Sequence, residues 1–126
     1  MKLHADTHRP LLAVTAYGAG YVTVAGRKLH RSLLLLPDRI DESWGPPGFA
    51  LLDIAHLAPL ALLDCDVLLL GTGMQLRFPP AALLRPFYEA GRAIEVMDTA
   101  AACRTYNILA AEGRTVAAAL IVETGT

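Results

Sequence analysis

Apolar and polar positions along this chain follow two periods, and the switches between them mark its elements. Val67-Leu68-Leu69-Leu70 is an unbroken apolar run, closed by Gly71-Thr72-Gly73. A second strand pattern, Ala93-Ile94-Glu95-Val96-Met97, closes at Asp98-Thr99 and leads into a helical stretch at 100–107. Strand, glycine turn, helix, strand, turn and helix in succession predict two neighbouring parallel strands with both turns at one edge. In open α/β sheets that edge is where ligands bind.

Before this segment the pattern is that of short strands. Residues 11–16 and 21–24 read as strands around the glycine turn of Gly18 and Gly20. Residues 27–36 read as one further strand, polar at Arg27, Lys28, His30 and Arg31 and wholly apolar over Leu33-Leu34-Leu35-Leu36. A wholly apolar run predicts a strand covered on both faces. The first third is thus expected to be an antiparallel meander. Residues 37–48, with three prolines and Trp44, read as a loop that the tryptophan anchors on the core. Apolar spacing over 50–61 predicts a short helix broken at Pro59. Pro79-Pro80 suit the start of another, which runs to Ala90, stops at Gly91 and is kinked or divided at Pro86. The last helix ends near Gly113, and a strand follows over 116–122.

That last helix is unusual in its small side chains. At 100° per residue, Ala102, Cys103, Tyr106, Leu109 and Ala110 share one face, and Ala101, Arg104, Ile108 and Ala111 share the opposite one. Both faces are small or apolar, which predicts cover on two sides: by the sheet, and by the meander or a partner. The fold class is α/β, with three layers: a central mixed, mostly parallel sheet, helices, and an additional antiparallel β layer.

Composition narrows the class further. With 126 residues the chain suits one domain, expected over 11–126 behind a flexible tail at 1–10. Hydrophobic residues make up 54%, which excludes disorder over most of the length. The net charge of -1 gives no electrostatic footprint for nucleic acid. The tail lacks the apolar core of a signal peptide, and the apolar region at 57–70 is broken by Pro59, Asp64 and Asp66. No membrane insertion is expected, and a cytoplasmic location is. The two cysteines, Cys65 and Cys103, have neither CxxC nor metal-site spacing and read as reduced thiols. The four histidines, His4, His8, His30 and His56, show no paired ligand spacing. No catalytic residue, metal or cofactor is predicted.

The candidate chemistry lies at the two turns. Gly71, Thr72 and Gly73 after an apolar strand resemble a phosphate-cradling turn, but a third glycine is missing at Leu76 and no Gly-Lys-Ser/Thr follows. Asp98 and Thr99 suit the capping of the next helix. With Arg77 and Arg104 lending positive charge, these seven residues form a candidate cleft for a small anion. Against this stands the simpler expectation that the glycines only permit a turn and the polar residues only cap a helix.

Several segments together resemble the Mth-type domain of unknown function family. They are Leu33-Leu34-Leu35-Leu36-Pro37, Leu68-Leu69-Leu70-Gly71-Thr72-Gly73, Gln75-x-Arg77-Phe78-Pro79, and the run from Glu95 through Asp98-Thr99-Ala100-Ala101-Ala102-x-Arg104-Thr105-Tyr106-Asn107-x-Leu109. The resemblance spans 11–122. It implies a compact α/β domain with a central mixed sheet and an extra β layer, and no established enzymatic activity. The family includes an adipogenesis-associated protein and a mitochondrial assembly factor for respiratory complex I. Its recurring polar positions fall on Thr72, Arg77, Asp98, Thr99, Arg104, Thr105, Tyr106 and Asn107; Pro86 departs from its helix pattern.

Two functional expectations follow. The first is a non-enzymatic accessory protein, monomeric or homodimeric, binding a protein partner through Arg104, Thr105, Tyr106 and Asn107 or through the Trp44 loop. The second is small-anion binding or an unidentified enzyme activity at the cleft of Gly71–Gly73 and Asp98–Arg104.

Overall fold

The computed structural model describes residues 11–123; the expected tail at 1–10 lies outside them. Strands β1 (Val14–Gly18), β2 (Tyr21–Val24) and β3 (Arg27–Leu29) form an antiparallel three-stranded sheet. Strands β4 (Leu33–Leu36), β5 (Arg39–Asp41), β6 (Val67–Gly71), β7 (Glu95–Met97) and β8 (Val116–Leu120) form a five-stranded sheet in the order β5-β4-β8-β6-β7. β6 pairs in parallel with both β7 and β8, while β4 runs antiparallel to β8 and β5. The two strands of the βα pattern are therefore parallel neighbours, as their turns and helices require.

Chain handedness places the helices. From β6 the chain passes through a 3-10 turn (Ala81–Leu84) and helix α2 (Arg85–Glu89) to β7; from β7 it passes through α3 (Thr99–Ala111) to β8. β7 and β8 flank β6 on opposite sides, so the two crossovers travel in opposite directions. Right-handed crossovers must then put α2 and α3 on opposite faces of the sheet. The core is divided accordingly. Leu33, Leu35, Leu69, Ala118 and Leu120 face α3 and the small sheet, which contributes Val22, Val24 and Leu29. Leu34, Leu36, Leu68, Leu70, Ala117 and Ala119 face Trp44, helix α1 (Ile54–Leu57) with its following 3-10 turn, and Phe87 of α2. Alternate side chains of one strand thus serve opposite cores, which is why β4 and β8 are buried at every position. Of the β8 alanines, Ala118 faces α3 and lets it approach closely.

Four local expectations are corrected. Residues 27–36 are not one strand: β3 ends at Leu29, and β4 begins at Leu33 in the other sheet. The break at His30-Arg31-Ser32 lets Ser32 leave the ladder. Its hydroxyl donates to the Pro46 carbonyl at 2.6 Å and accepts from Val122 N at 3.0 Å, pinning the Trp44 loop to the end of β8. The meander is therefore only three short strands. Residues 37–48 are not all loop, because β5 hydrogen-bonds to the β4 edge before Trp44 enters the core. The first strand is shifted, from 11–16 to Val14–Gly18. The helical region at 50–61 is three short pieces, with Pro59 inside the last.

Helix α3 begins where predicted, with the Asp98 carboxylate accepting from Ala101 N at 2.8 Å. It ends at Ala111, and the chain turns away at Gly113, whose φ of +83° is the left-handed geometry that favours glycine. The expectation of cover on both faces is also corrected. Ala102, Cys103, Tyr106 and Ala110 are buried, but Arg104, Ile108 and Ala111 are exposed: the small sheet lies beside α3 rather than over it.

Candidate functional site

The parallel strands β6, β7 and β8 end at one edge, and two threonines knit that edge together. Thr72 N donates to Met97 O at 2.9 Å, joining the ends of β6 and β7. Thr99 Oγ1 accepts from Gly73 N at 2.8 Å and donates to Ile121 O at 2.8 Å, while Thr99 N donates to Gly73 O at 2.9 Å. Gly71 is there because nothing larger fits: a Cβ on it would stand 2.9 Å from Thr99 Cα and 3.2 Å from Ala102 Cβ. The start of α3 is thus pressed directly onto the end of β6.

This geometry brings five of the seven cleft residues together: Gly71, Thr72, Gly73, Asp98 and Thr99. Each of the two arginines is paired within the chain. Arg77 Nη1 lies 3.6 Å from Glu123 Oε2. Arg104 Nη1 donates to the Tyr17 hydroxyl at 3.0 Å, which favours its charged form. The amides of Thr72, Gly73, Thr99 and Ala101 are all donated within the chain. Beside the turn is a cavity of about 240 Å³, lined by Tyr17, Gly18, Gly73, Met74, Asp98, Thr99 and Ala100. Its lining is mostly apolar, with the Asp98 carboxylate as its charge.

The proposed contact residues of α3 divide between inside and outside. Arg104 is exposed and Thr105 half-buried. Tyr106 is fully buried; its hydroxyl donates to Leu12 O at 2.8 Å, and burial pushes its phenol up. Asn107 Oδ1 accepts from Val14 N at 2.9 Å and its Nδ2 donates to Val14 O at 2.8 Å. Trp44 is buried, its indole N–H donating to His56 O at 2.8 Å. Tyr106, Asn107 and Trp44 therefore tie elements of this chain to each other.

The thiols lie apart from this edge. Cys103 is fully buried, and burial pushes its thiol up to about 12. Cys65 is half-buried, with Sγ 3.5 Å from Arg92 Nη2. Among the described residues no three His, Cys, Asp or Glu side chains gather as a metal-ligand set. No described helix is long and apolar enough to cross a membrane.

In the segment that leaves the edge, residues 74–78, the sequence pattern singled out Arg77 but gave no role to the apolar side chains beside it. Met74 is 61% exposed, Leu76 53% and Phe78 69%. A buried hydroxyl holds its backbone: Thr72 Oγ1 donates to Gln75 O at 2.6 Å and accepts from Arg77 N at 3.2 Å. Apolar residues alternate with Gln75 and Arg77 between a glycine and two prolines. That alternation, in a stretch that forms no strand, was the available signal. Met74 lines the cavity together with Tyr17, and Leu76 and Phe78 are exposed apolar side chains of the same segment, which leaves the edge where the parallel strands end.

Comparison with known proteins places this arrangement among relatives. The chain is 38% identical over 110 residues to an uncharacterised protein of Rhodobacter capsulatus, covering 87% of this chain and 84% of that one. It is 32% identical over 110 residues to NADH dehydrogenase [ubiquinone] 1 alpha subcomplex assembly factor 3 of Danio rerio; the match covers 86% of this chain and 63% of the relative. Among solved structures it is similar to a Bordetella pertussis protein described as an Mth938-like domain. There the TM-score is 0.74 and the identity 34%, over 100% of this chain and 95% of that one. A family model matches residues 14–121, from β1 through the residue after β8. On that match, the chain belongs to the family described as protein of unknown function DUF498/DUF598.

Proposed function

We propose that this chain is a non-enzymatic, assembly-factor-like protein that binds a protein partner. The observation that carries this reading is the display of Met74, Leu76 and Phe78 on a segment whose backbone is held from within by Thr72. Exposed apolar side chains on an ordered loop pre-empt the entropy cost of ordering them on binding. The outward face of α3, with Arg104, Thr105 and Ile108, extends the surface; Ile108 is 60% exposed. The name of the zebrafish relative supports a partner of a particular kind, a subunit of a multi-subunit respiratory enzyme before or during its assembly.

The test is a double substitution, Met74→Asp with Phe78→Asp. Both side chains are exposed, so the melting temperature should hold while capture of partners from a native lysate is lost. Equal capture by both forms would remove this surface from consideration. If the unsubstituted protein itself captures no specific partner, and phosphate or a carboxylate at millimolar concentration raises its melting temperature, function returns to the cleft of Gly71–Gly73 and Asp98–Arg104.

A further inference from the structure

Glu123, just beyond β8, meets three separate parts of the chain. Its Oε2 accepts from Phe49 N at 3.2 Å, and the same oxygen lies 3.6 Å from Arg77 Nη1. Its Oε1 fills the space above Gly73, only 2.5 Å from where a Cβ on that residue would stand. Gly73 has a φ of +103°, which disfavours a side chain, and the carboxylate occupies the space one would take. The Arg77 guanidinium also lies 5.5 Å from the centre of the Phe49 ring. One carboxylate thus joins the start of the 74–78 segment, its Arg77, and the turn that carries Phe49.

The ties of this segment are of two kinds. Those made by Thr72 fasten Gln75 and Arg77 to the end of β6. Those made by Glu123, beside the contact of Arg77 with the Phe49 ring, fasten the loop to the turn that carries Phe49 and set its orientation. We infer that Glu123 is a latch, which holds residues 74–78 in the orientation that displays Met74, Leu76 and Phe78. This deepens the partner-binding reading and rests on it for its purpose, but the latch itself is a property of the free protein. Both members of the Arg77–Glu123 pair are partly exposed, with side-chain exposures of 38% and 27%. Salt therefore weakens the latch without disturbing the core.

Amide hydrogen exchange on the free protein tests it. In Glu123→Ala, exchange at the Arg77 amide, which Thr72 Oγ1 accepts, and at the Phe49 amide, which loses its acceptor, should quicken by about tenfold, while β6 and β8 keep their protection. In the unsubstituted protein, high salt should quicken the same amides by a smaller factor. Unchanged exchange in a folded Glu123→Ala protein overturns the latch. So does a uniform increase over the whole chain, which would make Glu123 a general stability residue. Should Glu123→Ala fail to fold, Glu123→Gln decides: its amide oxygen still accepts from Phe49 N and only the charge facing Arg77 is lost, so quickening at the Arg77 amide supports the latch while none overturns it. No partner is present in these measurements, so a failure of the latch is distinct from a failure to find a partner.

Discussion

Asn107 holds Val14 by both backbone groups, its Oδ1 accepting from the amide at 2.9 Å and its Nδ2 donating to the carbonyl at 2.8 Å. The two residues are 93 positions apart in sequence. The amide side chain stands in for a neighbouring strand, so the free edge of β1 ends on α3 rather than in water. Asn107→Ala would leave a donor and an acceptor of β1 without partners. The expected cost is about 2 kcal/mol, which lowers Tm by about 8 °C in a domain of this size. Thermal unfolding followed by circular dichroism measures it, and a Tm within error of the parent would show that water replaces the side chain without penalty.

Gly71 and Gly26 separate two reasons for a glycine. At Gly71 an added Cβ meets Thr99 and Ala102, so α3 must move off β6. Overpacking of this kind costs about 1–3 kcal/mol. At Gly26 there is open space but a φ of +80°, so alanine there meets only backbone strain of about 1 kcal/mol. Urea denaturation should rank Gly71→Ala as the more damaging; the reverse order would mean that the contact between Gly71 and α3 is soft.

The two thiols should differ in reactivity. Cys103 is sealed between α3 and the sheet, with its thiol pushed up by burial, whereas Cys65 is half-buried beside Arg92. An aromatic disulfide reagent at pH 8 should titrate one thiol quickly and the second only as the protein unfolds. Two equally fast thiols, or loss of the slow class in Cys65→Ser rather than in Cys103→Ser, would refute the assignment.

The same burial makes the fold sensitive to alkali. Burial raises the pKa of both Cys103 and Tyr106 in the folded state, so the unfolded chain releases these protons first. Stability from Cys103 is therefore complete below the ordinary thiol value of about 8.5, and is lost progressively as pH rises towards about 12. The urea midpoint should fall between pH 7 and pH 9.5, and by less in Cys103→Ala. A midpoint that rises over this interval would contradict the sign.

Arg104 tests where the outward face of α3 matters. Its guanidinium is exposed, and its hydrogen bond runs to the hydroxyl of Tyr17, itself partly exposed. Arg104→Glu should keep Tm within about 2 °C of the parent. If α3 belongs to the partner surface, the same change abolishes capture. Retained capture would confine the surface to residues 74–78, and a large fall in Tm would make Arg104 a stabilising residue instead.

Much of this fold was legible from local pattern, and the reason is physical. A strand covered on both faces must be apolar at consecutive positions, so Leu33–Leu36 and Val67–Leu70 announce themselves as central. A helix needs its first amides satisfied and a left-handed exit, so Asp98 and Gly113 bound α3. Two βα units imply parallel neighbours and a common edge. Those inferences depend on residues close together in the chain. The division of 27–36 between two sheets does not: it depends on Ser32 meeting Pro46 and Val122, which no local period encodes. The same holds at the candidate site. Glycine and threonine at the strand ends suggested an open cradle, but their amides and hydroxyls are used across the edge, and each arginine's partner comes from a distant segment, Glu123 for Arg77 and Tyr17 for Arg104. Which helix face stays bare, and which loop displays its apolar side chains, is set by how the sheets and helices of the described residues share a limited area of cover. That is a property of the packed whole, and only the tertiary structure decided it.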